Sequence, residues 1–210
     1  MALLALWIRL PRFFAQQRDA TWQSIFTTPI AGRLCVVIGY GDLGQAAARA
    51  GKKLGLTVVA VTRSGTGSGP ADSVLPASRV EEVLPKADFL IVAAPLTQKT
   101  RNFVNRLRLA MLPRSAGVIN VARAPIVDYV ALAEMLRNGE LSGAFLDVHE
   151  PEPLPGGSEL WSTPNLVVTP HISCDDPRYV EMLLDAWASN LVRLDANRTL
   201  INVVDRTRGY

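Results

Sequence analysis

Residues 33–64, RLCVVIGYGDLGQAAARAGKKLGLTVVAVTRS, leave this chain few ways to fold. The continuous apolar run Leu34 to Ile38 reads as a strand buried on both faces. Gly39-Tyr40-Gly41-Asp42-Leu43-Gly44 follows with no spacer, Gln45 to Leu54 reads as a helix, and Thr57 to Val61 is a second β-rich run. Strand, glycine-rich turn, helix and strand make one βαβ unit. In that setting Gly39 allows the tight turn, Gly41 lets the backbone approach a pyrophosphate, and Gly44 lets helix and strand pack closely. Asp42 and Leu43 complete the turn, and the helix presents free N–H groups and its positive dipole end to the phosphates. The bland alternative is a glycine-rich turn in an ordinary α/β protein. The flanking strand and helix favour a dinucleotide site instead.

The far end of the unit bears on which dinucleotide binds. A carboxylate at the end of the second strand would hold the ribose 2′-hydroxyl of NAD. Counting eighteen positions on from Gly44 reaches Thr62, followed by Arg63 and Ser64. A guanidinium and two hydroxyls suit a 2′-phosphate, so NADP is expected ahead of NAD. Arg63 as a solvated loop charge, or stacked on adenine, is compatible with either cofactor.

Beyond this unit, strands and helices continue to alternate. Thr62 to Pro76 is rich in Gly, Ser and Pro and reads as a loop, Arg79 to Leu84 as a short helix, and Asp88 to Ala93 as a third strand. Ala94 to Thr100 turns into a helix ending near Met111. Ala116 to Val121 is the fourth strand, and Val127 to Asn138 a helix closed by Gly139. Gly143 to Val148 and Asn165 to Thr169 are the fifth and sixth strands, separated by the proline-rich turn Glu150 to Pro155. Pro177 to Ala196 is the last helix. The expectation is an α/β fold, a doubly wound parallel sheet of Rossmann type with flanking N- and C-terminal helices, its ligand crevice at the carboxyl ends of the strands. The domain reading is a crossover helix over 1–27, a dinucleotide-binding domain over 28–175, and a C-terminal helix and tail over 176–210.

Composition narrows the function classes. With 49% hydrophobic residues the chain buries a real core, and a net charge of +3 from scattered basic residues argues against a nucleic-acid partner. Cys35 and Cys174 lack metal spacing, which suggests no metal site, no disulfide framework and a reducing, cytoplasmic setting. Met1 to Ile8 has no basic segment ahead of it and is too short to span a bilayer. Leu3, Leu6, Leu10, Phe13 and Phe14 fit a helical stripe, kinked at Pro11, that needs a partner surface.

Three strand ends carry polar groups that no structural role explains. These are Arg123 after Gly117 to Val121, Glu152 in DVHEPEP, and His171 beyond NLVVTP. A guanidinium grips an α-keto acid bidentately, an imidazolium protonates a carbonyl oxygen as hydride reaches the carbon, and a neighbouring carboxylate favours the charged imidazolium. On spacing alone, each also fits a solvated loop charge.

The motifs GYGDLG, AAPLTQKT, NVAR, DVHEPEP, LWSTPNLVVTPHIS and NVVD, in consistent order from about residue 30 to the C-terminus, resemble the D-isomer-specific 2-hydroxyacid dehydrogenases. That family includes phosphoglycerate, glyoxylate and hydroxypyruvate reducing enzymes. The resemblance implies that Arg123 orients the substrate carboxylate and carbonyl, that Glu152 pairs with the imidazole, and that His171 is the acid/base. It further implies that Asp147 lies near the nicotinamide amide, and that Ala94, Pro95, Val121 and Ala122 line the cofactor cleft. His149 falls at a position usually aromatic in the family and reads as a packing or surface residue. Cys174 reads as a small apolar filler or a pocket-lining residue.

Two departures stand beside the matches. Ala124-Pro125 follows Arg123 where the family usually has glycine, so a shift of that loop is expected. Family members also carry a substrate-binding domain ahead of the cofactor domain, whereas Met1 here falls at the helix that crosses between the two. The expectations are therefore an oxidoreductase acting on a small 2-keto acid, as a homodimer formed through the cofactor domain, or a dinucleotide-binding module without turnover that serves as redox sensor or scaffold.

Overall fold

In the computed structural model, which describes residues 1–206, the apolar runs pair into a parallel sheet. Chain order gives α1 (Ala2–Trp7), α2 (Leu10–Arg18), β1 (Leu34–Ile38), α3 (Asp42–Lys53), β2 (Thr57–Thr62), β3 (Ser73–Pro76) and β4 (Phe89–Val92). Then come α4 (Arg106–Ala110), β5 (Gly117–Asn120), α5 (Tyr129–Arg137), β6 (Gly143–Leu146), β7 (Leu166–Val168) and α6 (Tyr179–Asp195). The strands lie in the order β3-β2-β1-β4-β5-β6-β7, every neighbouring pair parallel. The order reverses between β1 and β4, which is where a doubly wound sheet opens a crevice.

Alternate residues of each strand serve opposite faces, and both faces are covered. Val36, Ile38, Leu90, Val92, Val118 and Leu146 join Leu109 of α4 and Leu132 and Leu136 of α5 in one core. Cys35, Val37, Val58, Ala60, Ile91, Ile119 and Phe145 join Leu3 and Leu6 of α1 and Ala48 of α3 in the other. Helix α5 closes as read from sequence: Gly139 has φ 68, its N–H donates to Leu136 O, and the Glu140 N–H reaches Met135 O.

Several elements depart from the sequence expectation. The region read as a loop, Thr62 to Pro76, ends in β3, which pairs with β2 from Val59↔Ser73 to Thr62↔Pro76. It is an edge strand of four residues ending in proline, tolerable only because nothing pairs on its outer side. Helix α3 begins at Asp42 rather than Gln45, so Asp42, Leu43 and Gly44 form its first turn. The N-terminal stripe is not one helix over 1–27. It breaks at Arg9, which has φ 60, because Pro11 has no N–H to bond Trp7 O and sits instead in the first turn of α2. Residues 21–29 have no helical structure.

Leu3 and Leu6 are buried against the sheet of their own chain. A Cβ on Gly117 would lie 3.0 Å from one Leu6 methyl and a Cβ on Gly143 3.1 Å from the other, so these two strand-opening glycines leave the space that Leu6 fills. Trp7 locks α1 in place: its indole N–H donates to Thr28 O at 2.6 Å and its ring lies 5.7 Å from that of Phe89.

The chain divides into two compact units, the first ending at Pro170 and the second beginning at His171. In the second unit α6 is followed by a tail tied back to it, Asn190 exchanging hydrogen bonds with the Ile201 backbone and Arg193 donating to Thr199 O. Val180, Leu183, Leu184, Trp187, Leu191 and Leu194 of α6 are all exposed. Among the described residues, no helix is long and apolar enough to cross a membrane, and no group of His, Cys, Asp or Glu has the makings of a metal site.

Candidate active site

The register aligns the ends of six strands. Val61, Ile38, Val92, Asn120, Leu146 and Val168 are paired across the sheet. The residues that follow them, Thr62, Gly39, Ala93, Val121, Asp147 and Thr169, therefore form one lip at the carboxyl edge. Backbone bonds continue through it: Gly39 N to Val61 O, Ala93 N to Ile38 O, Val121 N to Val92 O, Asp147 N to Asn120 O, and Thr169 N to Leu146 O. Parallel strands with matched ends bring together residues more than a hundred positions apart in sequence.

Next to the lip, the glycine-rich turn has little freedom. Gly39 has φ +91, and a Cβ there would stand 2.5 Å from the Ala94 backbone. A Cβ on Gly44 would stand 2.0 Å from Gly39 O. Gly41 differs: it is exposed, has φ −74, and a Cβ there would meet nothing within 4 Å. It caps α3 without a side-chain hydrogen bond, and the first helical bond is Gln45 N to Gly41 O. The N–H groups of the opening turn are thus left for an anionic ligand beside exposed Asp42 and Leu43, an arrangement that fits a pyrophosphate.

At the end of β2, the Thr62 hydroxyl accepts from Gly65 N at 2.9 Å and donates to Thr66 O at 3.1 Å. Its proton is used within the loop, which leaves exposed Arg63 and Ser64 as the outward-facing polar groups of that trio. Ala94 is buried, and Pro95 beyond it is exposed.

Arg123 leaves β5 through Val121 and the buried Ala122 and is itself exposed, its Nη1 donating to Ala122 O at 2.6 Å. Ala124 and Pro125 fit the backbone found here: Arg123 is extended, with φ −146, and Ala124–Ile126 forms a short 3-10 turn needing no positive φ. Asn120 holds the turn from below. Fully buried, it accepts from Ala122 N at 3.0 Å and donates to Arg123 O at 3.1 Å and to the Tyr129 hydroxyl at 2.9 Å. Tyr129 in turn donates to Val148 O at 2.8 Å, tying the Arg123 turn to the segment that leaves β6. Burial, above all, raises the Tyr129 phenol well beyond its ordinary range; the Asn120 hydrogen bond acts the other way, and the charges of Glu152 and Asp147 add to the rise.

Asp147 is buried on the lip and accepts from the Thr169 hydroxyl at 2.5 Å. Glu152 is exposed, and its Oε1 accepts from His149 N at 2.7 Å. His149 is buried, not a surface residue. Its Nε2 lies 2.9 Å from Thr169 O, which can only accept, so that nitrogen carries the proton. Cys174 is exposed, contrary to its reading as an apolar filler. His171, the first residue of the second unit, has φ 58.

The first unit thus gathers Gly39, Gly41, Thr62, Ala94, Val121, Arg123, Asp147 and Glu152 along one edge of the sheet. Sequence reasoning does not find Asn120, Tyr129, His149 and Thr169 as supports of that edge. A polar Asn ending an otherwise apolar strand is the one sequence signal available for any of them.

The sequence pattern of the family described as D-isomer specific 2-hydroxyacid dehydrogenase, NAD binding domain, matches residues 1–173. The chain is 34% identical over 174 residues to the glyoxylate reductase of Pyrococcus furiosus, covering 81% of this chain and 52% of that protein. A D-isomer specific 2-hydroxyacid dehydrogenase of Xanthobacter autotrophicus, solved with NADPH and MES, superposes with a TM-score of 0.90 at 35% identity, covering 100% of this chain and 86% of that one. The NADPH-dependent glyoxylate/hydroxypyruvate reductase of Sinorhizobium meliloti, solved with NADP and sulfate, gives 0.89 at 30% identity over 99% of this chain and 66% of its own. The chain spans about half the length of the curated relatives it matches. A Rossmann-type parallel sheet, the glycine turn at its switch point and the match over residues 1–173 together show that the chain belongs to the D-isomer specific 2-hydroxyacid dehydrogenase family, of which it carries the NAD-binding domain.

Proposed function

We propose that the protein is an oxidoreductase that exchanges a hydride between NADPH and a small 2-keto or 2-hydroxy acid such as glyoxylate or hydroxypyruvate. The observation that carries this reading is the shared sheet edge: Arg123 leaves β5 and Glu152 follows β6, at the same carboxyl edge as the glycine turn after β1. The turn at Gly39, Gly41 and Gly44, with Asp42 and Leu43, would hold the pyrophosphate, while Ala94, Pro95, Val121, Ala122 and Asp147 would flank the nicotinamide. When bound, that ring supplies or accepts the hydride.

Each remaining step belongs to the chain. Arg123 pairs with the substrate carboxylate through two parallel hydrogen bonds and fixes the carbonyl carbon for attack. His171, assigned by family likeness, gives its proton to the carbonyl oxygen during reduction and takes it back in the reverse direction. Glu152, assigned on the same ground, favours the protonated imidazole. NADP is preferred to NAD because the end of β2 offers Arg63 and Ser64 and no carboxylate. The chemistry of the relatives solved with NADPH and NADP supports the same choice. A homodimer is part of this reading, supported by the exposure of Phe14, Trp22 and Phe26 on the N-terminal segment. Buried Cys35 and exposed, unpaired Cys174 support a reducing, cytoplasmic setting.

Oxidation of NADPH followed with glyoxylate, hydroxypyruvate and phenylpyruvate, beside titration of NADPH alone, tests the proposal. Turnover of one or more acids that is abolished in His171→Ala, with cofactor affinity kept, is the expected result. Binding without turnover on any acid would reject the enzyme reading for this chain and favour the alternative, a cofactor-binding module acting as sensor or scaffold. Arg63→Ala is expected to weaken NADPH more than NADH, and equal losses would overturn the NADP preference.

A further inference from the structure

The segment between β2 and β3, Arg63-Ser-Gly-Thr-Gly-Ser-Gly-Pro-Ala71, is rich in glycine and hydroxyls, yet it is fastened at both ends. At the near end the Thr62 hydroxyl bonds Gly65 N and Thr66 O, and the Ser64 and Thr66 hydroxyls are 2.7 Å apart. At the far end the Tyr40 hydroxyl accepts from Ala71 N at 2.6 Å. Between these ties the segment lies on the Tyr40 side chain. A Cβ on Gly67 would stand 3.1 Å from the ring at Cδ1, and one on Gly69 would stand 2.8 Å from the hydroxyl oxygen. Gly69 also has φ +146, which other residues rarely adopt. Tyr40 is buried although it sits between Gly39 and Gly41, in the middle of the pyrophosphate turn. Arg63, Ser64, Thr66 and Ser68 remain exposed on the fastened segment.

We infer that Tyr40 is a positioning residue for 2′-phosphate recognition: it joins the turn that takes the pyrophosphate to the loop that carries Arg63 and Ser64. This inference rests on the reading of the protein as an NADP-binding one. The advantage of such a tie is preorganisation. A glycine-rich loop free in solution would lose its conformational freedom on binding, whereas a loop already held by the Tyr40 ring and hydroxyl has lost it on folding. Only the dinucleotide bearing a 2′-phosphate makes use of Arg63 and Ser64, so loosening the loop penalises NADPH and leaves NADH nearly untouched.

The test measures dissociation constants of both dinucleotides by fluorescence titration, with no need for turnover, in the wild-type chain, Tyr40→Phe, Arg63→Ala and the double variant. Tyr40→Phe keeps the ring and removes the acceptor of Ala71 N. A net hydrogen bond corresponds to a roughly five-fold weakening of NADPH, with NADH changed less than about two-fold. In the Arg63→Ala background the Tyr40→Phe effect on NADPH is expected to shrink, because the group being positioned is gone. Equal losses for the two cofactors in Tyr40→Phe, or no loss for either, would overturn the inference even where Arg63→Ala is selective for NADPH. Equal losses in Arg63→Ala would instead overturn the NADP reading on which it rests.

Discussion

The side-chain amide of Asn120 donates to the hydroxyl of Tyr129 at 2.9 Å, a contact between two residues that the sequence does not single out as part of the site. Through this bond the end of β5 is fastened to the segment leaving β6, since Tyr129 passes its own proton to Val148 O. Tyr129→Phe would orphan one N–H of a fully buried amide and a backbone carbonyl. A loss of about 1–3 kcal/mol in urea unfolding is expected. Combining it with Asn120→Ala should cost less than the sum of the two, because both break the same bond. Strict additivity would show that the bond contributes nothing.

Gly44→Ala should prevent the native turn from forming. The added methyl would lie 2.0 Å from Gly39 O, a backbone atom with nowhere to go, because Gly39 is itself pressed against Ala94. Loss of cofactor binding together with a fall of the thermal midpoint by several degrees is the expected outcome. Far-ultraviolet dichroism during heating and a cofactor titration read the two effects separately.

Leu6→Ala removes the side chain that fills the space above Gly117 and Gly143 and is itself only 3% exposed. A cost of about 2–5 kcal/mol is expected from lost burial and the cavity left behind. Phe14→Ala, on a side chain that is 58% exposed, should change the unfolding midpoint far less. Equal effects would show that α1 does not dock as described.

Burial pushes the Cys35 thiol up to about 12 from an ordinary value of 9.0. The folded pKa is the raised one, so the associated stability is complete below the unfolded value and is lost as pH climbs toward the folded value. Comparing unfolding at about pH 8 and about pH 10.5, the wild-type chain should lose on the order of 2 kcal/mol more than Cys35→Ala, whose alanine does not titrate. In the folded chain at neutral pH, a thiol reagent should label exposed Cys174 quickly and Cys35 only on unfolding.

Most of the sheet was legible because each central strand is a run of apolar residues bounded by glycine, proline or polar turns. Strand β3 was not, since its four residues sit behind a Gly-Ser stretch and are only partly buried at the sheet edge. A kink at Pro11 could be read from the sequence, but not that the chain would break outright two residues earlier at Arg9, because the apolar stripe runs through Pro11 with helical spacing. At the site, Gly39 and Gly44 could be named because what they do depends on backbone geometry within a local motif. The supports were out of reach: the partners of Asn120, Tyr129, His149 and Thr169 are set by which strands lie side by side. His149 shows the point, since nothing in DVHEPEP indicates that its imidazole reaches the carbonyl of Thr169.

The glycine turn also keeps two obligations on different residues. The protein's own atoms forbid a side chain at Gly39 and Gly44, while at Gly41 a methyl group meets no atom of the chain and the backbone already has an ordinary φ of −74. Gly41→Ala therefore meets no steric bar in the folded chain, and on the proposed reading it would place a methyl on the path of an incoming diphosphate. Introduced into a cell in place of the natural chain, it would separate duties that require a loaded cofactor from those that require only the protein's shape.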